Sequence, residues 1–162
     1  MSRFRRVVSA TFARPANTTQ YAAADLVANS ATAGSVVPLS FDPAARFPGG
    51  NGAVKAVRIA KSGVVLTAAA FKLHLFTDAP AVTNGDNGAL APTNGLAKGY
   101  LGAVAVTIGT AVGDGAFGRA SCDLMFDTTK PSSKLYGLLE VTDVYTPGSA
   151  ESFTVELELE RE

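Results

Sequence analysis

Few residues in this sequence are of a type that supports catalysis. His74 is the only histidine and Cys122 the only cysteine, so a transition-metal site built from three or four imidazole or thiolate ligands is not expected. His74 stands within an alternating segment, and no G-x-S-x-G motif supplies a nucleophile for a Ser-His-Asp arrangement. We therefore interpret His74 as an ordinary strand histidine, and we expect no catalytic residue, no metal and no cofactor.

One glycine-rich motif matches a nucleotide-binding pattern. Residues 113–118 read Gly-Asp-Gly-Ala-Phe-Gly, which fits G-x-G-x-x-G. That pattern binds a pyrophosphate where a helix begins directly behind it, but residues 119–126 alternate as a strand. The motif therefore predicts a hairpin loop. The loop at residues 83–88 offers oxygen atoms for a weak surface calcium ion, although it lacks the ligand spacing of an EF-hand.

Sugar chemistry would need paired carboxylates or aromatic platforms. The carboxylates that could form an acid–base pair are Asp123, Asp127, Glu140 and Asp143. Nothing in the sequence places two of them across a cleft. The chain has no tryptophan, and its amphipathic rings are Tyr21, Tyr100, Tyr136 and Tyr145. These observations lower the weight of a lectin-like function without removing it.

The elements that must position these residues are strands. In residues 153–160, apolar side chains alternate with Thr154 and three glutamates, which is the pattern of a half-buried strand. Two-residue periodicity predicts about eight strands in all. They lie at residues 7–12, 36–41, 56–60, 71–76, 104–108, 119–126, 135–145 and 153–160. The alternation in residues 135–145 changes phase, and a bulge near residues 142–143 would restore the phase.

These strands predict an all-β fold. No strand–helix–strand alternation is present, and the 16 Gly and eight Pro residues make long helices unlikely to form. We expect a single antiparallel β-sandwich domain over residues 1–162, jelly-roll-like, with at most one short helical turn at residues 90–98. The loops at residues 13–35 and 78–99 exceed ordinary connections, and loops of such length usually carry contacts. Residues 13–35 could form an extended arm.

Composition excludes several classes of partner. The chain carries 14 basic and 14 acidic side chains, so its formal net charge is zero. A neutral chain is not attracted in bulk to nucleic acid or an acidic membrane. One cysteine allows no internal disulfide, which fits a reducing compartment. No signal-peptide core and no apolar run of about 18 residues is present, so we expect a soluble protein.

The two termini carry opposite charges. Residues 1–14 hold four arginines and no acid, giving +4, and residues 151–162 hold one arginine and five glutamates, giving 1 − 5 = −4. One interpretation is that the terminal strands are neighbours and pair their charges across a sheet. A second is that one end of a subunit meets the opposite end of the next. A third is a basic arm that binds an acidic partner such as packaged nucleic acid.

Several short segments occur in an order that is characteristic. Residues 14–25 read Arg-Pro-Ala-x-x-Thr-x-Tyr-x-x-x-Asp after a first strand. The segments that follow are Pro48-Gly49-Gly50-x-Gly52, Leu73-His74-Leu75-Phe76-Thr77-Asp78-Ala79-Pro80, Tyr100-Leu101-Gly102 and Tyr145-Thr146-Pro147. Over nearly its whole length the chain thereby resembles small virion structural proteins of tailed bacteriophages and prophages. Ala24 precedes Asp25 where that family more commonly has glycine, and alanine disfavours a tight turn there.

The resemblance implies a structural role without catalytic residues. It favours a head decoration (cement) protein, made in the host cytoplasm and carried on the capsid surface of the virion. The partners it implies are the major capsid protein and further copies of the same chain, with a trimer as the first expectation. No membrane and no specific nucleic acid is expected as a partner. The candidate assembly contacts are Arg3, Arg5, Arg6, Arg14, Tyr21, Asp25, Glu156, Glu158 and Glu160.

Two other functions remain open. A binding module of a tail fibre or baseplate, recognising a host surface glycan or protein, would share the same architecture. Tyr100 and Tyr136 in one concave patch would favour it, whereas flat, loop-built surfaces would favour decoration. A small cytosolic enzyme is the third class, and a buried carboxylate pair in a cleft would favour that.

Overall fold

The computed structural model describes residues 3–93 and 99–162, and the secondary structure there consists of strands and one short 3-10 helix at Ala33–Ser35. The ten strands within these ranges are β1 (Phe4–Ala13), β2 (Leu26–Val27), β3 (Leu39–Phe41), β4 (Asn51–Lys61), β5 (Ala70–Phe76), β6 (Tyr100–Thr107), β7 (Thr110–Val112), β8 (Gly115–Asp127), β9 (Leu135–Val141) and β10 (Ser152–Arg161). The chain is all-β, as the two-residue periodicity predicts.

Alternation of apolar and polar residues determines which face of each strand is buried. In β10, Phe153, Val155 and Leu157 are fully buried, and the residues between them are partly exposed. Burial of such side chains is worth about 1.5–3 kcal/mol each. β5 follows the same rule, since Phe71, Leu73 and Leu75 are buried while Lys72 and His74 lie on the other face.

The strands form two antiparallel sheets. The first sheet has the order β1-β10-β4-β8-β7, and the second has the order β2-β9-β5-β6, with β3 also paired to β9. The first strand therefore pairs with the last, β2 and β3 pair with β9, β4 pairs with β8, and β5 pairs with β6. This nesting of pairs, folded over into two layers, is the topology of a jelly roll.

The main core lies between the two sheets. It contains Val57 and Leu157 of the first sheet and Phe71 and Leu139 of the second, together with Tyr145 from the loop between β9 and β10. A separate small cluster of Leu26, Phe76 and Leu138 lies on the opposite side of the second sheet. Leu138 pairs in register with His74, which lies on the outer face.

Loops cover much of the outer face of the second sheet. Val36, Val82 and Leu90 pack against the small outer cluster, and Val82 and Leu90 belong to the second of the two long loops identified in the sequence, residues 78–99. The outer face of the first sheet carries no comparable apolar cluster among residues 3–93 and 99–162. The two sheets therefore differ, because one is layered by its own loops and the other faces outward.

Several local expectations differ from the structure. β9 ends at Val141, so the bulge predicted at residues 142–143 is wrong, and Tyr145 reaches the core from a loop through an isolated bridge with Tyr21. β2 and β7 escaped prediction because strands of two and three residues show too little periodicity. The predicted helical turn at residues 90–98 falls largely on residues 94–98, which lie outside the described residues, while Pro92 forms a bridge with Val82.

Residues 13–35 do not project as an extended arm. Arg14, Tyr21 and residues 25–28 are buried, and β2 within this segment pairs with β9. The physical reason is a set of polar and apolar groups in the segment that find partners on the body of the same chain. The prediction of an arm is corrected accordingly.

Candidate interaction surface

The outer face of the first sheet is an ordered array of charged and apolar side chains. Strand register places Arg5 beside Glu160, and Glu160 beside Ala53. The next rows align Val7 with Glu158, and then Ser9 with Glu156. Glu156 in turn lies beside Arg58, and Arg58 beside Arg119. Two glutamates of β10 therefore have a basic residue beside them on a neighbouring strand, Glu160 beside Arg5 and Glu156 beside Arg58, which is favourable for cross-strand pairs.

Ion pairs link the strands of this face. Arg58 Nε contacts Glu158 Oε1 at 2.7 Å, and Arg58 also reaches Glu156 Oε2 at 3.1 Å. Arg119 donates two hydrogen bonds of 2.8 Å to the carboxylate of Glu158. Two parallel N–H···O bonds from one guanidinium fix the geometry of a pair more firmly than a single contact does.

This arrangement changes the titration of its members. The hydrogen bonds from Arg119, and then those from Arg58, lower the pKa of Glu158 to about 2 against the opposing effect of desolvation. The same carboxylates raise the pKa of both guanidiniums. These shifts favour the charged forms of Glu158, Arg58 and Arg119.

A bulge introduces a further charge. Lys55 is an extra residue in β4 relative to β10, because Val54 and Ala56 pair with the consecutive residues Leu159 and Glu158. The lysine is exposed, and its Nζ lies 2.7 Å from Asp123 Oδ1. Bulges re-aim side chains in this way. Exposed ion pairs of this kind contribute little to stability. The pair of Lys55 and Asp123 therefore mainly determines where charges lie on the surface.

Apolar side chains lie among these charges. Met125 is 82% exposed, and Val7 and Phe117 are also exposed on this face. Two open depressions of about 460 and 470 Å³ lie there, one beside Met125 and the other beside Val7. Methionine and aromatic residues are enriched in protein interfaces, so this face has the composition of a contact surface rather than of an inert exterior.

The opposite terminal charges meet within one chain. β1 and β10 are neighbours over their whole length, and Arg3 Nη1 lies 3.4 Å from Glu160 Oε1. This agrees with the interpretation that terminal strands pair charge across a sheet. Glu156 and Glu158, however, bind Arg58 and Arg119 instead of the N-terminal arginines.

Three of the candidate assembly contacts, Arg14, Tyr21 and Asp25, lie inside the protein. Arg14 is 2% exposed and Tyr21 is 1% exposed. The guanidinium of Arg14 donates to Tyr21 Oη at 2.8 Å, to Asp86 Oδ2 at 3.2 Å and to the backbone oxygen of Asn17 at 2.5 Å. These side chains hold loops together, so their placement on a contact surface is corrected.

Asp86 is the counter-ion of this buried cluster. Its carboxylate accepts hydrogen bonds from the Tyr21 hydroxyl at 2.5 Å and from the Ala28 amide at 2.9 Å. Burial, and next the hydrogen bond to Asp86, raises the pKa of Tyr21. Sequence reasoning missed Asp86, since it stands in an Asn-Gly-rich loop that reads as solvent-exposed. It is committed to protein donors, and so does not act as a surface calcium ligand.

A second buried cluster lies beside the first. Lys61 Nζ lies 3.1 Å from Glu151 Oε1, and both side chains are buried. The Tyr145 hydroxyl donates to Glu151 Oε2 at 2.7 Å, and the rings of Tyr145 and Tyr21 stack with centroids 6.4 Å apart. Burial, followed by the hydrogen bond to Glu151, raises the pKa of Tyr145. Together the two clusters fasten the loops before β2 and before β10 to the end of β4.

Asp25 forms a tight turn. Its carboxylate accepts a 2.7 Å hydrogen bond from the amide of Ala22, and its own amide donates to the oxygen of Ala22. Ala24 in this turn has a φ of 70°, which is the conformation that glycine adopts freely. The turn is present although alanine replaces the glycine that is usual in the resembling family. Asp25 is 9% exposed, so its role is local.

His74 belongs to a polar group on the outer face of the second sheet. Its Nε2 lies 2.7 Å from Glu140 Oε2, and its Nδ1 lies 2.9 Å from the Tyr100 hydroxyl. Both ring nitrogens are thus engaged by protein. Burial, and then the charge of Glu140, raises the pKa of Tyr100. Tyr100 and Tyr136 both lie beside Phe76 in register.

The four candidate carboxylates of an acid–base pair do not all lie in one place, and the glycine-rich segment lies in a separate turn. Asp123 and Asp127 line the depression beside Met125, whereas Glu140 lies on the second sheet and Asp143 in the following loop. Gly113 and Asp114 form the two-residue turn between β7 and β8, with Gly113 at a φ of 61°. The G-x-G-x-x-G segment is therefore a hairpin, as its sequence context predicts.

The part of the chain that the structure describes holds neither a metal-binding group of side chains nor a membrane-spanning helix. Residues 3–93 and 99–162 contain no group of three or more histidine, cysteine or carboxylate side chains able to hold a metal ion. None of the helical structure described there has the length and apolar character needed to cross a membrane.

Comparisons with known proteins give only distant structural similarity. No family model matches the chain, and no curated protein matches its sequence. A capsid structure of Helicobacter pylori bacteriophage KHP30 is similar at 10% identity and a TM-score of 0.32, covering 99% of this chain and 94% of that one. The K1 cleaved adhesin domain of Lys-gingipain from Porphyromonas gingivalis has 11% identity and a TM-score of 0.29, with 97% and 98% covered.

A third similar structure is that of black queen cell virus, at 9% identity and a TM-score of 0.26, covering 98% of this chain and 69% of that one. Weak neighbours of the chain thus include viral capsid proteins. All three TM-scores lie below 0.5, so none of these similarities supports an argument about function.

Proposed function

We propose that this protein is a non-enzymatic structural protein of a bacteriophage virion that decorates the outside of the capsid. It binds the major capsid protein, associates as a homo-oligomer with a trimer as the expected state, and stabilises the head lattice. The observation that supports this is the outward face of the first sheet, where Met125, Val7 and Phe117 are exposed among paired charges. The resemblance of the ordered sequence segments points to the same role.

The rigidity of the body suits a protein that reinforces a lattice. Two buried charged clusters fix the loops, and the sandwich core is continuous between the sheets. A decoration protein requires a surface that does not rearrange, because ordering a loop on binding would reduce the binding free energy.

Absolute copy number per purified virion tests the proposal directly. Quantitative mass spectrometry against the major capsid protein should give one copy per capsid subunit, or one oligomer per local symmetry axis. In solution, light scattering should give three times the 16.6 kDa chain mass. A handful of copies per particle would contradict decoration and indicate a tail or connector component, and absence from the particle would contradict a virion role.

A matched pair of valine substitutions tests the binding face. Val7→Asp should weaken binding to heads that lack the protein by at least about tenfold, which is 1.4 kcal/mol. Val144→Asp provides the control, because Val144 is 49% exposed against 46% for Val7 but lies in the loop after β9. Sedimentation of heads with each variant gives the affinities. Equal binding by wild type and Val7→Asp would show that the contact with the head does not lie on this face.

A second candidate is a tail module that recognises a host glycan or protein. The observation favouring it is the exposed Tyr100, whose ring packs 5.3 Å from that of Phe76 and whose hydroxyl contacts His74. An aromatic ring beside polar groups can stack on a sugar. Binding to purified host surface glycan that is lost in Tyr100→Ala, together with a low virion copy number, would favour this function over decoration.

A further inference from the structure

Two arginines occupy positions on the inward side of the first sheet where its alternation calls for apolar residues. Val8 and Leu159 point into the core, and two residues further toward the strand ends the same side carries Arg6 in β1 and Arg161 in β10. Phe4 pairs in register with Arg161 and therefore lies on this side too. Arg6 is exposed and Arg161 is partly exposed, so both arginines lie at the end of the core rather than within it.

A third arginine comes from the loop between β3 and β4. Arg46 directly follows the buried Ala44 and Ala45, and its guanidinium carbon lies 4.0 Å from the centroid of the Phe4 ring. We call Arg6, Arg46, Arg161 and Phe4 the basic corner. Burial, and then the positive charges of Arg6 and Arg46, lowers the pKa of Arg161, which indicates that the three guanidiniums repel one another.

The basic corner lacks counter-ions. Within residues 3–93 and 99–162, no carboxylate forms a salt bridge with any of its three arginines, although every glutamate of the adjoining β10 row has a basic partner. Arg161 Nε is buried and has no hydrogen-bond partner among the described residues. Buried donors are nearly always paired in native proteins. In the described part of the chain, Arg161 therefore keeps an unsatisfied donor within a group of like charges.

We propose that the basic corner binds a carboxylate-rich peptide segment of a partner protein. Arginine pairs bidentately with carboxylates, and the exposed rings of Phe4 and Phe47 next to it supply apolar contact for a peptide. A nucleic-acid strand is the alternative anionic partner, and its binding is measured separately. The inference does not depend on the proposed decoration role.

The test uses a labelled peptide of six glutamates followed by phenylalanine, titrated against the full chain by fluorescence anisotropy. Arg6→Gln should weaken binding about tenfold. Arg5→Gln is the matched control, since it removes the same charge from the neighbouring residue, whose side chain lies on the opposite face of β1. Arg5→Gln should leave the affinity within about twofold of wild type. Thermal unfolding of each variant establishes that the fold is retained.

Two further measurements separate the possible outcomes. In the wild-type chain, the side-chain Nε–H resonance of Arg161 should shift on titration with the peptide, a result that needs no variant to fold. Equal weakening by Arg5→Gln and Arg6→Gln would overturn the proposal, because it would indicate attraction by bulk charge. An unshifted Arg161 resonance would also overturn it. Tighter binding of a labelled twelve-nucleotide single strand of thymidine would overturn it in favour of nucleic acid, and binding of inorganic phosphate alone would overturn it in favour of a simple anion site.

Discussion

Arg14, Tyr21 and Asp86 lie where three loops meet, and each of them depends on the other two. A buried guanidinium is tolerated only while its counter-ion and carbonyl acceptors remain in place. The cluster connects residues that are 72 positions apart in the chain, through the 3.2 Å contact of Arg14 with Asp86. A single buried carboxylate thus holds the loop before β6 against the loop after β1.

Asp86→Ala should destabilise the protein by about 3–5 kcal/mol, because it leaves Arg14 buried without a counter-charge. Tyr21→Phe, which removes one hydroxyl from the same cluster, should cost about 1–3 kcal/mol. Urea unfolding measures both values. Asp114→Ala at the exposed hairpin tip is the control and should stay within about 0.5 kcal/mol of wild type. A loss below about 1 kcal/mol for Asp86→Ala would show that the cluster does not hold the loops.

Glu158 makes a prediction about acid stability. Its pKa is lowered in the folded chain from an ordinary 4.5 to about 2. A lowered pKa contributes stability that is fully present above 4.5 and is lost as the pH falls through the folded value. The stability difference between wild type and Glu158→Gln should therefore be largest above about pH 5 and should shrink steadily toward about pH 2.

Carboxyl-carbon NMR titration checks the cause of that effect. In Arg119→Gln, the pKa of Glu158 should rise toward its ordinary value, because the first of the two guanidiniums that lower it is removed. The same titration in the wild type is the reference. A Glu158 pKa that does not respond to Arg119→Gln would contradict the assignment of Arg119 as the dominant partner.

At the scale of elements, turns and strand ends decide how the sheets are joined. Ala24 adopts a left-handed conformation in the turn that leads into β2, and that conformation costs a residue with a side chain about 1–2 kcal/mol. The strain is accepted because Asp25 closes the turn by hydrogen bonding and Leu26 beyond it is fully buried.

Ala24→Gly should stabilise the protein by up to about 1 kcal/mol, since relief of left-handed strain exceeds the added entropy of the unfolded chain. Thermal or urea unfolding measures the change. Ala23→Gly is the matched control, because Ala23 is an exposed neighbour without a positive φ. That control should destabilise slightly, and stabilisation by both substitutions would contradict the argument from backbone strain.

Sequence alternation predicted eight of the ten described strands, because each buries one face in the core. It did not reveal β2 and β7, which are too short to show a period, and it extended β9 beyond Val141. The burial of Asp86 was not predicted, because the sequence around this loop residue gives no sign that Arg14, 72 positions away, pairs with it. The inward phase of Arg6 and Arg161, in contrast, could have been read from the alternation around Val8 and Leu159.

At the scale of the whole molecule, strand order is what the sequence could not supply. Pairing of β1 with β10 joins residues from opposite ends of the chain, and in the sequence only the opposite charges of the two termini pointed to it. Once formed, the order makes the two faces of the sandwich unequal. The second sheet is layered by the long loops, whereas the first sheet presents its charged and apolar rows outward. This asymmetry places the proposed contact with a capsid on one side of the molecule.

The nested pairing also constrains events on the ribosome. β1 is synthesised first, but its partner β10 is synthesised last, and the contact between Arg3 and Glu160 spans 157 positions. During translation β5 and β6 can pair early. Until β10 is synthesised, β1 lacks its partner strand and its side chains Val8 and Phe12 stay exposed to solvent. Long-range pairing of this kind is slow and exposes a chain to aggregation. Arg5 and Arg6 in β1 keep that unpaired strand positively charged, and charge on a strand edge opposes such aggregation.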